Sequence, residues 1–376
     1  MDIVTTNEDY PLLGRTVAVT AARRASEQKV LLERRGATVL HAPAIRMIPV
    51  AEDELVRSAT AQVLAAPADL MVLTTATGVR WWTQVCEEWG FSEDLHALMD
   101  RVPLYSRGPK VTGALRAAGL REHASAASEA TPELLQMLLE RGVDGLTVAV
   151  QLQGASSDWN PMAPLVEGLR AAGADVIVVP IYRWELPEDL DAFDDLVRTI
   201  ARAGVDGVTF TAAPAVVSML ERAELMGIHD DVLDALSGPV AALCVGPVTA
   251  EPLVELGVPV SMPERMRLGA LMRHVTDELV ARSQPVVVAG HELTVCAAGV
   301  LMDGRSIDLS PAPLALLRAM ADRPGKCVSR EELLAVLPGD GADPHAVETA
   351  MGRLRRALGV PGLVTTVVKR GYRLTV

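Results

Sequence analysis

The chain has 376 residues, of which 49% are hydrophobic, 22% charged and 3% aromatic, and its formal net charge is -13. That length and apolar content exclude a disordered chain and leave room for two or three domains with sizeable cores. The longest apolar runs, such as Val176–Tyr182, fall far short of the roughly 20 residues of a membrane helix, and Met1–Tyr10 lacks the basic and apolar parts of a leader, so a cytoplasmic protein with no membrane partner is expected.

Cys86, Cys244, Cys296 and Cys327 are scattered, with no CxxC pair and no histidine at ligand spacing. Buried free thiols are therefore expected, without a disulfide framework or a zinc site. Charge is divided unevenly along the chain: Val286–Val376 holds 11 Lys and Arg against 9 Asp and Glu, a net +2, and the rest carries a net -15. An acidic body is repelled by nucleic acid at long range, so a basic cluster near the end, "GRLRRALG", is either a solvated helix face or the working surface of a separate module.

In chain order, Gly14–Arg46 ("GRTVAVTAARRASEQKVLLERRGATVLHAPAIR") reads as a strand, a loop, an amphipathic helix closed by glycine and a second strand. Gly145–Arg183 repeats that unit. Asp69–Trp82 is answered by Asp206–Leu220, each an apolar strand running into hydroxyl residues at a helix start, and Val102–Leu120 is answered by Val240–Val258, each a short strand, a Gly-Pro turn and a helix. Alternating strands and helices with short links predict an α/β fold of two similar lobes, each a parallel sheet with helices on both faces.

In such sheets ligands sit beyond the carboxyl ends of the strands, where helix N-termini offer unpaired N–H groups to anions. Thr74, Thr75, Thr77, Thr211 and Thr249 stand at those strand-to-helix turns, so a cleft between the lobes would carry hydroxyls and amides suited to carboxylates or phosphates. A threonine there is also an ordinary helix cap, and both readings stand for each of them.

After "ARSQPVVVAG" at residues 281–290, which reads as a linker, short strands are predicted in "HELTVCAAG", "VLMDG" and "RSIDLSP". A helix follows Pro311; a second, "SREELLAVL", opens on a capping box of Ser329 and Glu332; a third starts at Asp343-Pro344. Along the third, Val347, Met351, Leu354 and Leu358 recur at helical spacing and face the core, which turns His345, Thr349, Arg353 and Arg356 to solvent with Arg355 at the flank. "VTTVV" and "GYRLTV" then form a hairpin tipped by Lys369-Arg370-Gly371.

Residues from about 10 to about 280 resemble uroporphyrinogen-III synthase, through the repeated α/β order and the segments "VVPIYR", "TFTAAPAVV", "CVGPVTAEPLVELGV" and "MPERMRLGALMRHV". The resemblance implies one lobe from about 10–44 and 184–280, another from about 50–178, and crossing linkers near Pro43–Val50 and Val178–Trp184. It implies hydroxymethylbilane, a linear tetrapyrrole with eight carboxylates, as the family's substrate, with no cofactor or metal. Tyr182 falls on the tyrosine proposed to assist departure of the hydroxyl, a role open to a phenol with its proton in place at neutral pH. The ligand-binding set expected is Arg23, Thr74, Thr75, Thr77, Ser106, Gln153, Tyr182, Thr211, Gly246 and Thr249. Three departures reduce the donors available for carboxylates: Ala21 and Ala22 precede Arg23 where an arginine is expected sooner, "QLQGASSDWN" lacks a basic residue, and Val111 stands in place of threonine.

The tail, 291–376, resembles the winged-helix effector domain of OmpR/PhoB-type response regulators, carried by "AVETAMGRLRRALG" and "TTVVKRGYRLTV". The resemblance implies a third helix in the major groove and a wing at phosphates or the minor groove, with His345, Thr349, Arg353, Arg355, Arg356, Lys369 and Arg370 on double-stranded promoter DNA. No receiver domain is recognisable, and the whole is similar to actinobacterial regulators of nitrate and nitrite assimilation. A one-component transcriptional regulator that senses a tetrapyrrole or another polycarboxylate is expected, linked to siroheme supply, with weak or absent synthase activity and a homodimer on DNA. The alternatives are a bifunctional synthase and regulator, and a synthase whose tail binds a protein partner.

Overall fold

Short apolar runs that lie between glycines and polar turns become strands buried on both faces. The computed structural model describes residues 10–47, 51, 53–66, 68–127, 130–153, 162–182, 184–283, 285–338 and 344–376. The chain divides into two compact units: Arg46–Glu185, and the chain before Arg46 together with Leu186–Val376. The second of these contains lobe 1 and the C-terminal domain; the first is lobe 2.

Lobe 1 begins with β1 (Thr16–Val19), α1 (Ala25–Glu33) and β2 (Thr38–His41). Lobe 2 follows as β3 (Arg46–Met47), α2 (Glu54–Ala65), β4 (Leu70–Leu73), α3 (Ala76–Trp89), α4 (Ser92–Arg101), β5 (Leu104–Ser106), α5 (Pro109–Ala117), β6 (Ala124–Ser125), α6 (Thr131–Arg141), β7 (Thr147–Gln153), α7 (Ala163–Ala171), β8 (Asp175–Tyr182) and β9 (Trp184–Glu185). Its five-stranded sheet has the order β6-β5-β4-β7-β8, all parallel, while β3 and β9 pair antiparallel where the chain enters and leaves, tied by Arg46 to Glu185 at 2.9 Å. Both faces of the sheet are packed, by α2, α3, α4 and α5 on one cluster of buried side chains and by α6 and α7 on the other. Trp82 of α3 is fully buried, and its Nε1 donates to Thr60 Oγ1 of α2 at 3.0 Å, so its one polar atom is satisfied inside the core.

The chain returns to lobe 1 with α8 (Leu190–Ala201), β10 (Gly207–Phe210), α9 (Ala213–Leu225), α10 (His229–Ser237), β11 (Ala241–Cys244), α11 (Pro247–Glu255), β12 (Val260–Ser261) and α12 (Leu268–Ala281). The sheet order is β12-β11-β10-β1-β2, again parallel, and matches lobe 2 strand for strand. The repeat extends to single bonds. Asp69 Oδ2 accepts from Thr147 N at 2.8 Å beside β4 and β7, and Asp206 Oδ2 accepts from Thr16 N at 2.8 Å beside β10 and β1. Asp194 of α8 accepts two bonds from Arg222 of α9 at 2.8 and 2.7 Å, and these hold its carboxyl below the usual range.

The C-terminal domain comprises β13 (Val286–Val288), β14 (His291–Val295), β15 (Gly299–Met302), β16 (Arg305–Asp308), α13 (Pro311–Ala321), α14 (Arg330–Ala335), α15 (Pro344–Leu358), β17 (Val364–Val367) and β18 (Gly371–Leu374). β13 to β16 form an antiparallel meander and β17–β18 the hairpin; three helices enclose one apolar core that includes Leu317, Met320, Leu333, Met351 and Leu354. The 281–290 stretch differs from the expected linker: α12 reaches Ala281 and β13 pairs with β14, because "VVV" gains a ladder by joining the meander. Asp343, the expected cap of α15, lies outside the described residues. Gly371 sits at φ +143° against the carbonyl of Val328, where any Cβ would collide with backbone. Cys86, Cys244 and Cys296 are buried free thiols, while Cys327 is exposed, since it precedes the capped start of α14 at the surface. Among the described residues, no helix is long and apolar enough to cross a membrane.

Two outcomes follow from this packing. Thr60→Val removes the acceptor of a fully buried indole N–H, and chemical denaturation should show lobe 2 weakened by about 1–3 kcal/mol. Glu332 accepts from Ser329 N and from Arg323, and these bonds, the backbone one first, bring its carboxyl down to about 2. A folded value below the unfolded one means its stabilisation is complete above the ordinary carboxyl range and disappears as pH falls toward 2. The protection of the Ser329 amide, its exchange rate relative to the intrinsic rate at each pH, should therefore fall over that acid window in the native chain and stay nearly constant over it in Glu332→Gln.

Candidate ligand turns and DNA interface

In lobe 2 the turns after β4 and β5 are already satisfied by the protein. Gln151 on β7 is buried; its Oε1 accepts from the amides of Thr74 and Thr75, both at 3.2 Å, and its backbone carbonyl accepts from Thr74 Oγ1 at 2.7 Å. Thr75 is the N-cap of α3, its Oγ1 accepting from Gly78 N at 3.0 Å. Gly78 is required here, because a Cβ would stand 2.2 Å from Gln151 Nε2. Thr77 Oγ1 accepts from Arg80, and Ser106 Oγ lies 2.9 Å from Thr112 Oγ1, so the hydroxyl missing at Val111 is supplied one residue later and directed inward. Thr74, Thr75 and Ser106, expected as ligand contacts, are thus held in internal bonds. Gln153 pairs with Tyr182 across the ends of β7 and β8; their side chains, like the loop 154–161, lie outside the described residues.

Lobe 1 carries the same turns with different residues. Thr20, directly after β1, stands where β7 has Gln151, and its short side chain bonds Thr209 O at 2.8 Å without reaching the next turn. Thr211 corresponds to Thr74 and is half-buried, with its hydroxyl unpartnered among the described residues; Ala212 replaces the capping Thr75, and α9 has no side-chain cap. On the neighbouring strand, Gly246 precedes α11, which also lacks a capping side chain, and Thr249 is buried with no hydrogen-bond partner for its hydroxyl among the described residues. Thr211, Gly246 and Thr249 therefore share the carboxyl edge of β10 and β11, a patch of open donors. Arg23 is exposed in the turn after β1, and the adjacent Arg24, at φ +57°, pairs with Glu27 instead. Gln151 was not foreseen as the organiser of the lobe-2 turns; a lone glutamine in "VAVQLQ", otherwise an apolar strand, is its signal.

The C-terminal domain presents a separate basic surface. His345, Thr349, Gly352, Arg353 and Arg356 are exposed along one side of α15 while Val347, Met351, Leu354 and Leu358 are buried on the other. Arg353 and Arg356 have no partner among the described residues, and Lys369 and Arg370 are likewise exposed and unpaired at the hairpin tip. Arg355, expected on DNA, is turned to the hairpin: Nε donates to Val364 O at 3.1 Å, Nη2 to Thr366 Oγ1 at 2.9 Å, and the guanidinium lies 5.5 Å from the Tyr372 ring centre. It fixes the wing against the helix. Arg373, which the sequence reading did not select, is exposed on β18 beside Thr365.

Two matching parallel sheets, one built from two separated stretches of chain and the other from the stretch between them, followed by three helices with a basic exposed face and a wing, define a two-lobed α/β protein fused to a winged helix. Residues 26–273 match the family model described as uroporphyrinogen-III synthase HemD, and residues 304–374 match that of the C-terminal domain of transcriptional regulatory proteins. The chain belongs to the uroporphyrinogen-III synthase HemD family. It is a transcriptional regulator in which a HemD-like domain is fused to a DNA-binding domain. The crystal structure of a mutant uroporphyrinogen III synthase from the extremely thermophilic bacterium Thermus thermophilus is similar at 30% identity, covering 71% of this chain and 99% of that one, with a TM-score of 0.59. The uncharacterized protein YjjA of Bacillus subtilis (strain 168) is 28% identical over 262 residues, 69% of this chain and 94% of that protein. The response regulator protein PmrA of Pseudomonas aeruginosa is 27% identical over 232 residues, 61% of this chain and 91% of that protein.

Anisotropy titrations with promoter DNA at several salt concentrations should separate the arginines by role. Arg353→Ala and Arg356→Ala should each cost about 1–3 kcal/mol where the residue reads a base, whereas Lys369→Ala should weaken all sequences alike and flatten the salt dependence. Arg355→Ala should act chiefly by loosening the hairpin, visible as faster amide exchange at Thr366.

Proposed function

We propose that this protein is a one-component regulator that binds promoter DNA through α15 and the β17–β18 wing, and that its HemD-like domain binds a tetrapyrrole or another polycarboxylate as a signal. The observation that carries this reading is the contrast between the lobes. In lobe 2, Gln151 and Thr112 engage the donors at the strand ends, whereas in lobe 1 Thr211 and Thr249 remain open beside uncapped helix starts. Open donors on one lobe can hold a carboxylate. Few open donors elsewhere among the described residues leave an eight-carboxylate chain without the positioning that supplies much of a cyclisation rate. Binding without turnover also suits a sensor, because occupancy then reports concentration and can bias one conformation by differential affinity.

Siroheme, made from uroporphyrinogen-III, is the cofactor of nitrite reductase, and this gives the fusion a chemical logic as a regulator of nitrate and nitrite assimilation. A homodimer on a paired operator is the assembly in which one winged helix reads each half-site. A second reading, a synthase that is also a regulator, is favoured by the position of Tyr182 at the end of β8, paired with Gln153.

Three measurements decide among these. A chain ending at Gln284 should lose promoter binding; equal affinity with and without the tail would reject the DNA assignment. Uroporphyrinogen-type compounds should raise the melting temperature by mass action, and Thr211→Val should diminish that rise. Freshly made hydroxymethylbilane should yield little type-III product; turnover like that of a dedicated synthase, lost in Tyr182→Phe, would establish the bifunctional protein.

A further inference from the structure

The duplication supplies an internal control for one feature of lobe 1. Gly145-Leu146-Thr147 before β7 corresponds to Gly14-Arg15-Thr16 before β1, and the backbone bond from Thr147 to Asp69 recurs as that from Thr16 to Asp206. At Gly145 nothing lies within 4 Å of a Cβ position, and Asp69 is exposed. At Gly14 the same position meets Ser306 and Cys296 of the C-terminal domain, and Asp206 is buried. The apolar Leu146 of one copy is an arginine in the other, on the edge that faces the added domain.

That arginine enters a polar cluster. Arg15 Nη1 donates to Asp206 Oδ1 at 2.8 Å, and its Nη2 donates to Ser283 Oγ in the segment joining α12 to β13. Asp206 Oδ1 accepts a further bond from Ala297 N at 3.1 Å, in the β14–β15 turn. Arg318 of α13 completes the contact, with Nη2 donating to Ala203 O at 3.1 Å in lobe 1 and to Cys296 O and Ala297 O at 3.3 and 3.0 Å in its own domain. Ala203 is held at φ +52°, a conformation L side chains rarely adopt, so lobe 1 accepts local strain while presenting that carbonyl. Arg15, Asp206, Cys296 and Ala297 are each less than a tenth exposed. Burial raises the Cys296 thiol to about 11.

We propose that Arg15, Asp206 and Arg318 form a latch that seats the DNA-binding domain on the amino-terminal edge of the lobe-1 sheet and couples its seating to the ligand turn at the other edge. Asp206 directly precedes β10, and Thr211 directly follows it, so about 17 Å of extended chain along one strand joins the latch to the open hydroxyl. The recognition side of α15 and the wing remain exposed while the latch is closed, so the seated domain is competent to meet DNA. The latch sets where that domain is held, and a ligand that shifts β10 acts on it through Asp206. The coupling half of the proposal rests on the sensing role proposed above; the seating half does not.

The test uses the full chain and N-ethylmaleimide, with labelling located by peptide mass. Cys327, exposed, reports the intrinsic rate; Cys244, inside the lobe-1 core, reports unfolding of the lobe; Cys296 reports the seam. Asp206→Asn and Arg318→Gln should each speed Cys296 labelling at least tenfold relative to Cys327 while Cys244 stays protected. If Asp206→Asn also exposes Cys244, Arg318→Gln decides, since its side chain lies outside the lobe. Unchanged Cys296 labelling in Arg318→Gln overturns the latch. For coupling, promoter affinity is measured with and without uroporphyrin III. A shift present in the native chain and at least fivefold smaller in Arg318→Gln supports coupling; an equal shift in both overturns it. No shift in the native chain rejects the sensing role for this compound and coupling with it, while the labelling result still stands for the seating.

Discussion

Parallel strands cannot turn straight back to a neighbour, so each link must cross a face of the sheet, and every strand then points the same way. The two edges of each sheet become chemically different. Carboxyl edges collect the starts of helices, with their unpaired N–H groups, while amino edges collect the turns that lead into strands. In lobe 1 this polarity places Thr211, Gly246 and Thr249 at one edge and Arg15 with Asp206 at the other. An edge of unpartnered hydroxyls and an edge that meets another domain can then occupy one small sheet without competing for the same backbone.

The two lobes show how little sequence change is needed to give one frame different edges. Gln151 against Thr20 decides whether the amides of the next turn are engaged by a side chain, because only the longer one bridges from one strand to that turn. Leu146 against Arg15 decides whether the amino edge is plain or ionic. Asp69 and Asp206 make the same backbone bond, yet only the second lies under a neighbouring domain that excludes water. The buried pair holds because its remaining valences are filled by Ser283, Ala297 and Thr16; a half-satisfied cluster in that place would weaken the fold.

The acidic body and the basic winged helix coexist because fields at physiological salt decay over about 8 Å. Arg353, Arg356, Lys369 and Arg370 act locally on whatever approaches α15 and the wing, while the distant carboxylates contribute little at that range. Their common surface depends on packing behind it: Arg355 ties helix to hairpin, and Gly371 lets the hairpin close on Val328. The exposed basic face is thus the outer side of a well-packed apolar core.

Periodicity was enough to place the repeated strands and helices, since a buried strand must be apolar along its length and an amphipathic helix must repeat at its own pitch. The α15 faces and the Ser329–Glu332 capping box were legible for the same reason: they involve residues close in sequence, whose geometry the helix dictates. Contacts between distant segments were not legible. Thr75 capping a helix while Thr211 stays open, Arg355 gripping the hairpin, β13 arising in an expected linker, and Arg318 reaching Ala203 all depend on which backbone lies across the next few ångströms. By itself the sequence determined the repeated units, their order and which residue types line each edge. Only the tertiary structure decided which polar atoms were already engaged, because hydrogen bonding is a short-range choice among partners that folding alone brings together.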